Sequence, residues 1–242
     1  MEKLVKLFEP GKIGKLEIKN RIIAAPLGMG FNFGTKPDGF VTDRLIAYNE
    51  ARAKGGTGLI QLNTSAVARP YSTSLLFGQG VLGLRTDEHI PGAQKMTKAI
   101  HAHGTKIAFL LGHTGAILAR LVAKRPPVEF PEFYRVIAPT GTRDPFTGFL
   151  THTVEVEEIE KIVEAFGQAA GRGKAANFDA VWIHGGHGYL IHQFLSPRTN
   201  KRTDQYGGSL ENRARFVCQI IQRVRKEVGP DFPIYLRMNG DD

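Results

Sequence analysis

The densest chemistry in this chain of 242 residues is the segment His184-Gly185-Gly186-His187-Gly188-Tyr189. It continues through Gln193-Phe194-Leu195-Ser196-Pro197, Asn200, Arg202-Thr203-Asp204, Tyr206-Gly207-Gly208 and 211–216 (ENRARF). Two histidines three residues apart in a glycine-rich loop can hold a metal ion, with His192 as a third ligand, or can be plain loop residues. No acidic or cysteine partner stands at a familiar ligand spacing and there is no HExxH helix, which leaves the metal reading the weaker one. Tyr189 carries a phenol whose ordinary pKa of about 10 keeps it protonated at neutral pH and able to act as an acid. The bland alternative is a tyrosine packed at a loop edge. Arg237 lies in the apolar run Ile234-Tyr235-Leu236-Arg237-Met238. An arginine in a buried strand needs a partner, which favours a site role over a surface one.

The elements that must position these residues are legible from periodicity. Apolar runs at 21–26 (RIIAAP), 58–62 (GLIQL), 106–111 (KIAFLL), 178–183 (FDAVWI) and 233–238 (PIYLRM) read as buried strands, the first of them buried on both faces. Between them lie four amphipathic helices. Thr42 caps a stripe of Leu45, Ile46, Asn49 and Ala53 that stops at Gly55-Gly56, and a second helix over 90–103 stops at Gly104. Val156, Ile159, Ile162, Val163, Phe166 and Ala170 recur at helical spacing behind Glu155, Glu157 and Glu158, which suit the dipole of a first turn. A fourth helix spans Leu210–Val228. Residues 7–18 predict a small hairpin before the main body, 184–208 a loop rich in Gly and His, and 113–153 a long, proline-containing stretch without periodicity. A connection of that length inside a domain is uncommon and usually functional.

Apolar strands alternating with amphipathic helices give parallel βαβ units. No GxGxxG follows the first strand, and Pro26, Thr64, His113, His184 and Arg237 fall at the C-terminal ends of several strands. A (β/α)8 barrel of the TIM type is therefore expected rather than a doubly wound sheet. Only about five units are present, so the expectation is one incomplete domain over 1–242, truncated after the fifth strand.

Composition bounds the function classes. With 42% hydrophobic and 23% charged residues the chain is neither a disordered tail nor a membrane protein, and no apolar run approaches the roughly 18 residues of a spanning helix. Residues 1–10 offer no secretory h-region, which predicts a cytoplasmic protein. Cys218 is the only cysteine, which excludes a disulfide framework or a multi-cysteine cluster within this chain. The formal charge of +9 is spread, with short clusters at Arg120, Lys124, Arg125 and at Arg198, Lys201, Arg202. No nucleic-acid motif accompanies it, so an anionic small molecule drawn to basic loops is the better use.

The 184–216 segment resembles the old yellow enzyme family, flavin-dependent ene reductases and NADH:flavin oxidoreductases of the 2,4-dienoyl-CoA reductase type. The resemblance extends to Leu7-Phe8, Pro10, Ile13-Gly14, Leu16, Lys19-Asn20-Arg21-Ile22 and Ala25-Pro26, and so covers essentially the whole chain. It implies FMN as cofactor, NAD(P)H as reductant and a small-molecule substrate with an activated C=C bond: an enoate, enone or enoyl-CoA. His184 and His187 would then donate hydrogen bonds to the substrate oxygen, on which negative charge builds as hydride arrives. Tyr189 would protonate one alkene carbon while the reduced flavin delivers hydride to the other. Ala25, Pro26 and Leu27 would lie along the isoalloxazine, Thr64 would contact it, and Arg237 would stabilise the anionic reduced flavin.

Three departures stand against the resemblance. Leu110 replaces a glutamine that bonds the flavin pyrimidine in many relatives, His113-Thr114-Gly115-Ala116 lacks the arginine of His-Ala-Gly-Arg, and Gly28 stands where one branch carries a cysteine. The units that hold the FMN phosphate in the family lie beyond the fifth strand. The rival expectation is accordingly a non-catalytic fragment, or a half-barrel that needs a partner chain for its C-terminal half; a homo-oligomer is a further arrangement of the same kind.

Overall fold

The computed structural model describes residues 4–27, 39–67, 82–118, 136–143 and 148–240. Gly28, the basic cluster Arg120, Lys124 and Arg125, and the parts of the long loop at 119–135 and 144–147 lie outside the described residues.

A short helix α1 (Val5–Phe8) leads into the antiparallel pair β1 (Gly11–Ile13) and β2 (Leu16–Ile18), in register Gly11 to Ile18. The main body follows as β3 (Ile23–Ala24), α2 (Asp43–Lys54), β4 (Leu59–Ala66), α3 (Ile90–His101), β5 (Lys106–Gly112), β6 (Ile137–Ala138), β7 (His152–Thr153), α4 (Val156–Ala175), β8 (Ala180–Gly185), α5 (Leu190–Leu195), α6 (Leu210–Val228) and β9 (Ile234–Met238). Strands β3, β4, β5, β8 and β9 form one sheet in that order, every pair parallel. The result is a half-barrel of five strands with its helices on one face, as the alternation of apolar runs and amphipathic stretches predicts.

Side-chain alternation divides the sheet cleanly. Ile60, Leu62, Ile107, Phe109, Leu111, Val181 and Ile183 pack with Ile46, Met96, Ile100, Phe166, Phe216 and Ile220 of the helices into the main core. The opposite face, the lumen side, carries Leu59, Ala108 and Ala180 at its lower end, plugged by Ile18 of the hairpin, with Trp182 and Tyr235 above them. One glycine sets the helix-to-sheet distance: a Cβ on Gly173 of α4 would run into the Phe109 ring.

Helix starts follow the sequence signals. Thr42 Oγ1 accepts from Leu45 N–H (3.3 Å), Glu158 accepts from Glu155 N–H (2.9 Å), and Ser209 Oγ accepts from Asn212 N–H (3.3 Å). Other expectations need correction. The run at 21–26 contributes only Ile23 and Ala24 to the sheet, and Ile23 is 41% exposed rather than buried on both faces, because β3 pairs with β4 alone. At the other edge, β9 is only partly covered for the same reason. The loop at 184–208 contains α5, whose Leu190, Ile191 and Phe194 are buried at helical spacing. Residues 113–153 include the parallel pair β6 and β7.

The lower end of the sheet is fastened by a carboxylate. Asp179, just before β8, accepts from His101 Nε2 (2.7 Å), Lys106 Nζ (3.0 Å) and Ile107 N–H (2.9 Å). Burial opposes its ionisation most strongly, but these three donors together hold its pKa below the ordinary 3.8. Asp179→Ala should therefore cost about 2 kcal/mol in urea unfolding, since it leaves the buried Ile107 N–H without an acceptor while His101 and Lys106, each about a third exposed, turn to water. A loss below about 1 kcal/mol would show that the cluster is solvated. Because the folded pKa is depressed, this contribution is present above the unfolded value and fades as pH falls through the folded one.

Candidate active site

Four strand ends place one row of positions along the upper lumen face. A Cβ on Gly112 of β5 would lie 2.6 Å from Thr64 Cγ2 of β4 and 3.4 Å from His184 Cβ of β8, so these three are immediate neighbours. His184 in turn pairs in register with Arg237 of β9. Thr64 reaches the row through an irregularity in β4 between Gln61 and Thr64, which shifts its register to Leu110. The row runs Thr64, Gly112, His184, Arg237: the Thr64 methyl and the His184 ring close over Gly112, and the Arg237 strand position lies next to His184.

The chain turns sharply after β8. His187 and Gly188 both adopt left-handed conformations, at φ 58° and 71°. For His187 that is a strained geometry, held from outside, since Asn239 Oδ1 accepts its N–H (3.1 Å). The turn folds His187 and Tyr189 back over His184. Ring centroids lie 4.9 Å apart for His184 and His187, 4.6 Å for His184 and Tyr189, and 6.4 Å for His187 and Tyr189. Tyr189 is also the N-cap position of α5, so its own backbone is fixed: its N–H donates to Gly186 O (3.1 Å) and its carbonyl accepts from Gln193 N–H (2.8 Å).

Hydrogen bonding sets the protons. Gly186 N–H donates to His184 Nδ1 (3.3 Å), so the neutral ring carries its proton on Nε2. Arg237 Nη2 donates to His187 Nε2 (3.1 Å), which puts the proton of His187 on Nδ1. Burial first, then the charges of His187 and Arg237, push His184 down to about 4, and burial, Arg237 and His192 lower His187. Burial raises the Tyr189 phenol above 10. Near neutral pH the cluster is thus two neutral imidazoles, each with one N–H, and an intact phenol.

The loop after β5 repeats the β8 motif. Gly115 N–H donates to His113 Nδ1 (3.1 Å), and burial drives this ring down to about 3. Between these values and the ordinary 6.5 the unfolded chain binds more protons at His113 and His184 than the folded one. Stability should therefore fall as pH drops below about 6.5, by about 1–2 kcal/mol for each ring between pH 7 and 5. Thermal melts at the two pH values check this. Equal melting temperatures would mean that both rings stay hydrated.

The other residues of the motif hold the scaffold. Arg202 makes a bidentate pair with Asp204 and donates to Pro139 O (2.9 Å) and Val154 O (2.6 Å), pinning the return of the long loop. Asn200 Nδ2 donates to Phe194 O and Tyr206 O, both at 2.7 Å. Gln193 spans the two loops, taking Ala116 N–H (3.2 Å) and giving to Gly188 O (2.6 Å). Ala25 and Leu27 line a small cleft of about 40 Å³ between β3, β4 and α2 whose lining includes none of the histidines. Leu110 is buried one layer below Gly112 and offers no polar atom.

Asn239 is the residue sequence reasoning missed. Besides holding His187 N–H, its Nδ2 donates to His192 Nδ1 (3.0 Å), which also accepts Gly188 N–H (3.1 Å). Its position two residues beyond Arg237 on an alternating strand was the available signal. With that nitrogen of His192 committed, no cluster of three metal-ligating side chains forms among the described residues. Nor does any described helix have the length and apolarity to cross a membrane.

The model of the NADH:flavin oxidoreductase / NADH oxidase family matches residues 6–242. An NADH oxidase of Thermoanaerobacter brockii is 39% identical over 236 residues, which are 98% of this chain and 34% of that protein. Among solved structures, a 2-naphthoyl-CoA reductase in complex with 2-naphthoyl-CoA superposes with a TM-score of 0.84 at 35% identity, over 96% of this chain and 35% of that one. An old yellow enzyme from Pichia sp. AKU4542 gives 0.81 at 29% identity, over 96% and 59%. The chain thus spans between about a third and three fifths of the length of these relatives.

Proposed function

Since the chain belongs to the NADH:flavin oxidoreductase / NADH oxidase family, we propose that it forms the substrate-facing part of an FMN-dependent oxidoreductase that uses NAD(P)H to reduce an activated carbon–carbon double bond. The observation that carries this reading is the single row Thr64, Gly112, His184 and Arg237 with Tyr189 packed over it.

The residues present fit a flat heteroaromatic group. Gly112 lets Thr64 and His184 approach each other closely, so the row carries only short side chains there, and Arg237 supplies a cation beside His184. Ala25, Pro26 and Leu27 follow β3, the strand beside that of Thr64, and it is the family resemblance that puts them along one side of the group. When bound, FMN would take hydride from NAD(P)H and return it to the substrate. The work of the chain is then polarisation and proton supply. His184 Nε2–H and His187 Nδ1–H are donors on adjacent rings, suited to a carbonyl, carboxylate or thioester oxygen that gains negative charge. Arg237 keeps the His187 donor in place by occupying its other nitrogen. The Tyr189 phenol, held protonated by burial, gives its proton to the alkene carbon that does not receive hydride.

Equilibrium reconstitution with FMN, followed by anaerobic NADH bleaching of the flavin band, tests this. Colourless protein that NADH does not affect would sink it for this chain. A second reading, a half-barrel that works only with further chain against it, is favoured by the lumen face. Trp182 Nε1 and Tyr235 Oη there are buried without a hydrogen-bond partner, and Met238 on β9 is 55% exposed. Light scattering separates the two: a flavin-containing monomer opposes the second reading, an obligate complex supports it.

A further inference from the structure

A cleft of about 660 Å³ opens beside His187 and Gly188 and runs between α5, the strand end at 138–142 and residues 196–201. Its lining carries two fixed cations, Arg198 and Lys201, at the outer end and two imidazoles, His187 and His192, at the inner, with no aspartate or glutamate. The nearest acidic residue in sequence, Asp204, is already consumed by Arg202.

Arg198 differs from nine other described arginines. Arg52, Arg143, Arg172, Arg202, Arg213, Arg215, Arg223, Arg225 and Arg237 each donate to a carbonyl, amide, carboxylate or imidazole of the chain. The Arg198 guanidinium makes no such donation among the described residues; its backbone N–H donates to Ser196 Oγ (3.1 Å). Lys201 gives one ammonium proton to Pro197 O (2.6 Å), which directs the head along this rim and leaves two protons unassigned. A guanidinium fork with an ammonium beside it, at the mouth of an acid-free cleft, is the donor set that binds phosphate esters.

We propose that this cleft is a subsite for the phosphate or pyrophosphate tail of a ligand whose reactive end reaches His184, His187 and Tyr189. The inference rests on the oxidoreductase reading and deepens it, since two classes of ligand bring such a tail to such a site: the dinucleotide reductant and a coenzyme A thioester substrate. The shared recognition is Arg198 and Lys201 on phosphate oxygens, while the imidazole end of the cleft faces the reacting group.

Titration calorimetry of the full chain with inorganic pyrophosphate, NADPH and acetyl-CoA tests the proposal. Arg198→Ala with Lys201→Ala should weaken at least one of the three about tenfold. Arg198→Lys should recover part of the loss, and Lys98→Ala with Lys161→Ala, an equal charge change on exposed helix surface, should have little effect. Weakening confined to NADPH assigns the tail to the reductant, weakening confined to acetyl-CoA assigns it to an acyl carrier, and weakening of both or of pyrophosphate supports the shared site. The proposal is overturned if no probe binds with a Kd below about 1 mM, if the cleft variant binds as the parent does, or if both double variants weaken binding equally. An FMN titration of the same samples keeps the two readings apart: flavin uptake without phosphate binding rejects only the subsite.

Discussion

Tyr189→Phe should slow reduction of an enone or enoate about 10²- to 10⁴-fold under anaerobic turnover, the usual contribution of a positioned general acid. The variant removes one oxygen and keeps the ring that packs 4.6 Å from His184, so the melting temperature should hold. Stopped-flow separation of the half-reactions locates the loss. Bleaching of the flavin by NADH needs no proton from this phenol and should keep its rate, while reoxidation by the alkene should carry the whole defect. Burial raises the phenol above 10, so the parent should show no loss of rate from Tyr189 ionisation across the neutral range. A fall of less than about tenfold would assign the proton to solvent or to another group.

His184→Ala should cost about 10²- to 10³-fold in kcat/KM, the range seen when one donor to a developing oxyanion is removed. The same change leaves Gly186 N–H without its acceptor, so some loss of stability accompanies it. His184→Gln separates the two effects by placing an amide N–H near the position of Nε2, and should recover part of the rate. A second readout belongs to this ring alone. Its pKa of about 4 makes the folded state resist protonation, so replacing it should shrink the drop in melting temperature between pH 7 and 5, leaving the share of His113. A variant that keeps parental kcat/KM would remove His184 from the mechanism, whatever its stability.

The alternation of buried runs with amphipathic helices, and hence a parallel barrel-type sheet, was legible in the sequence because side-chain periodicity is a local property. It needs only the rule that a strand or helix buries one stripe. The cap at Thr42 is equally local, acting within three residues. The grouping of His184, His187 and Tyr189 was also readable, since the ends of a six-residue segment cannot lie far apart.

What the sequence could not decide are relations between residues far apart along the chain. Which proton His187 carries depends on Arg237, 50 positions away, and its left-handed backbone is held by Asn239, 52 positions away. That Thr64, Gly112, His184 and Arg237 form one row follows from the register of four strands and from an irregularity in β4 that no periodicity announces. The partial exposure of Ile23 and of β9 is likewise a matter of place in the sheet. Apolar patterning states which face a residue turns to the core, because burial is indifferent to the identity of the neighbour. A hydrogen bond is not: it requires a particular atom within about 3 Å, and only the packed sheet determines which atom that is.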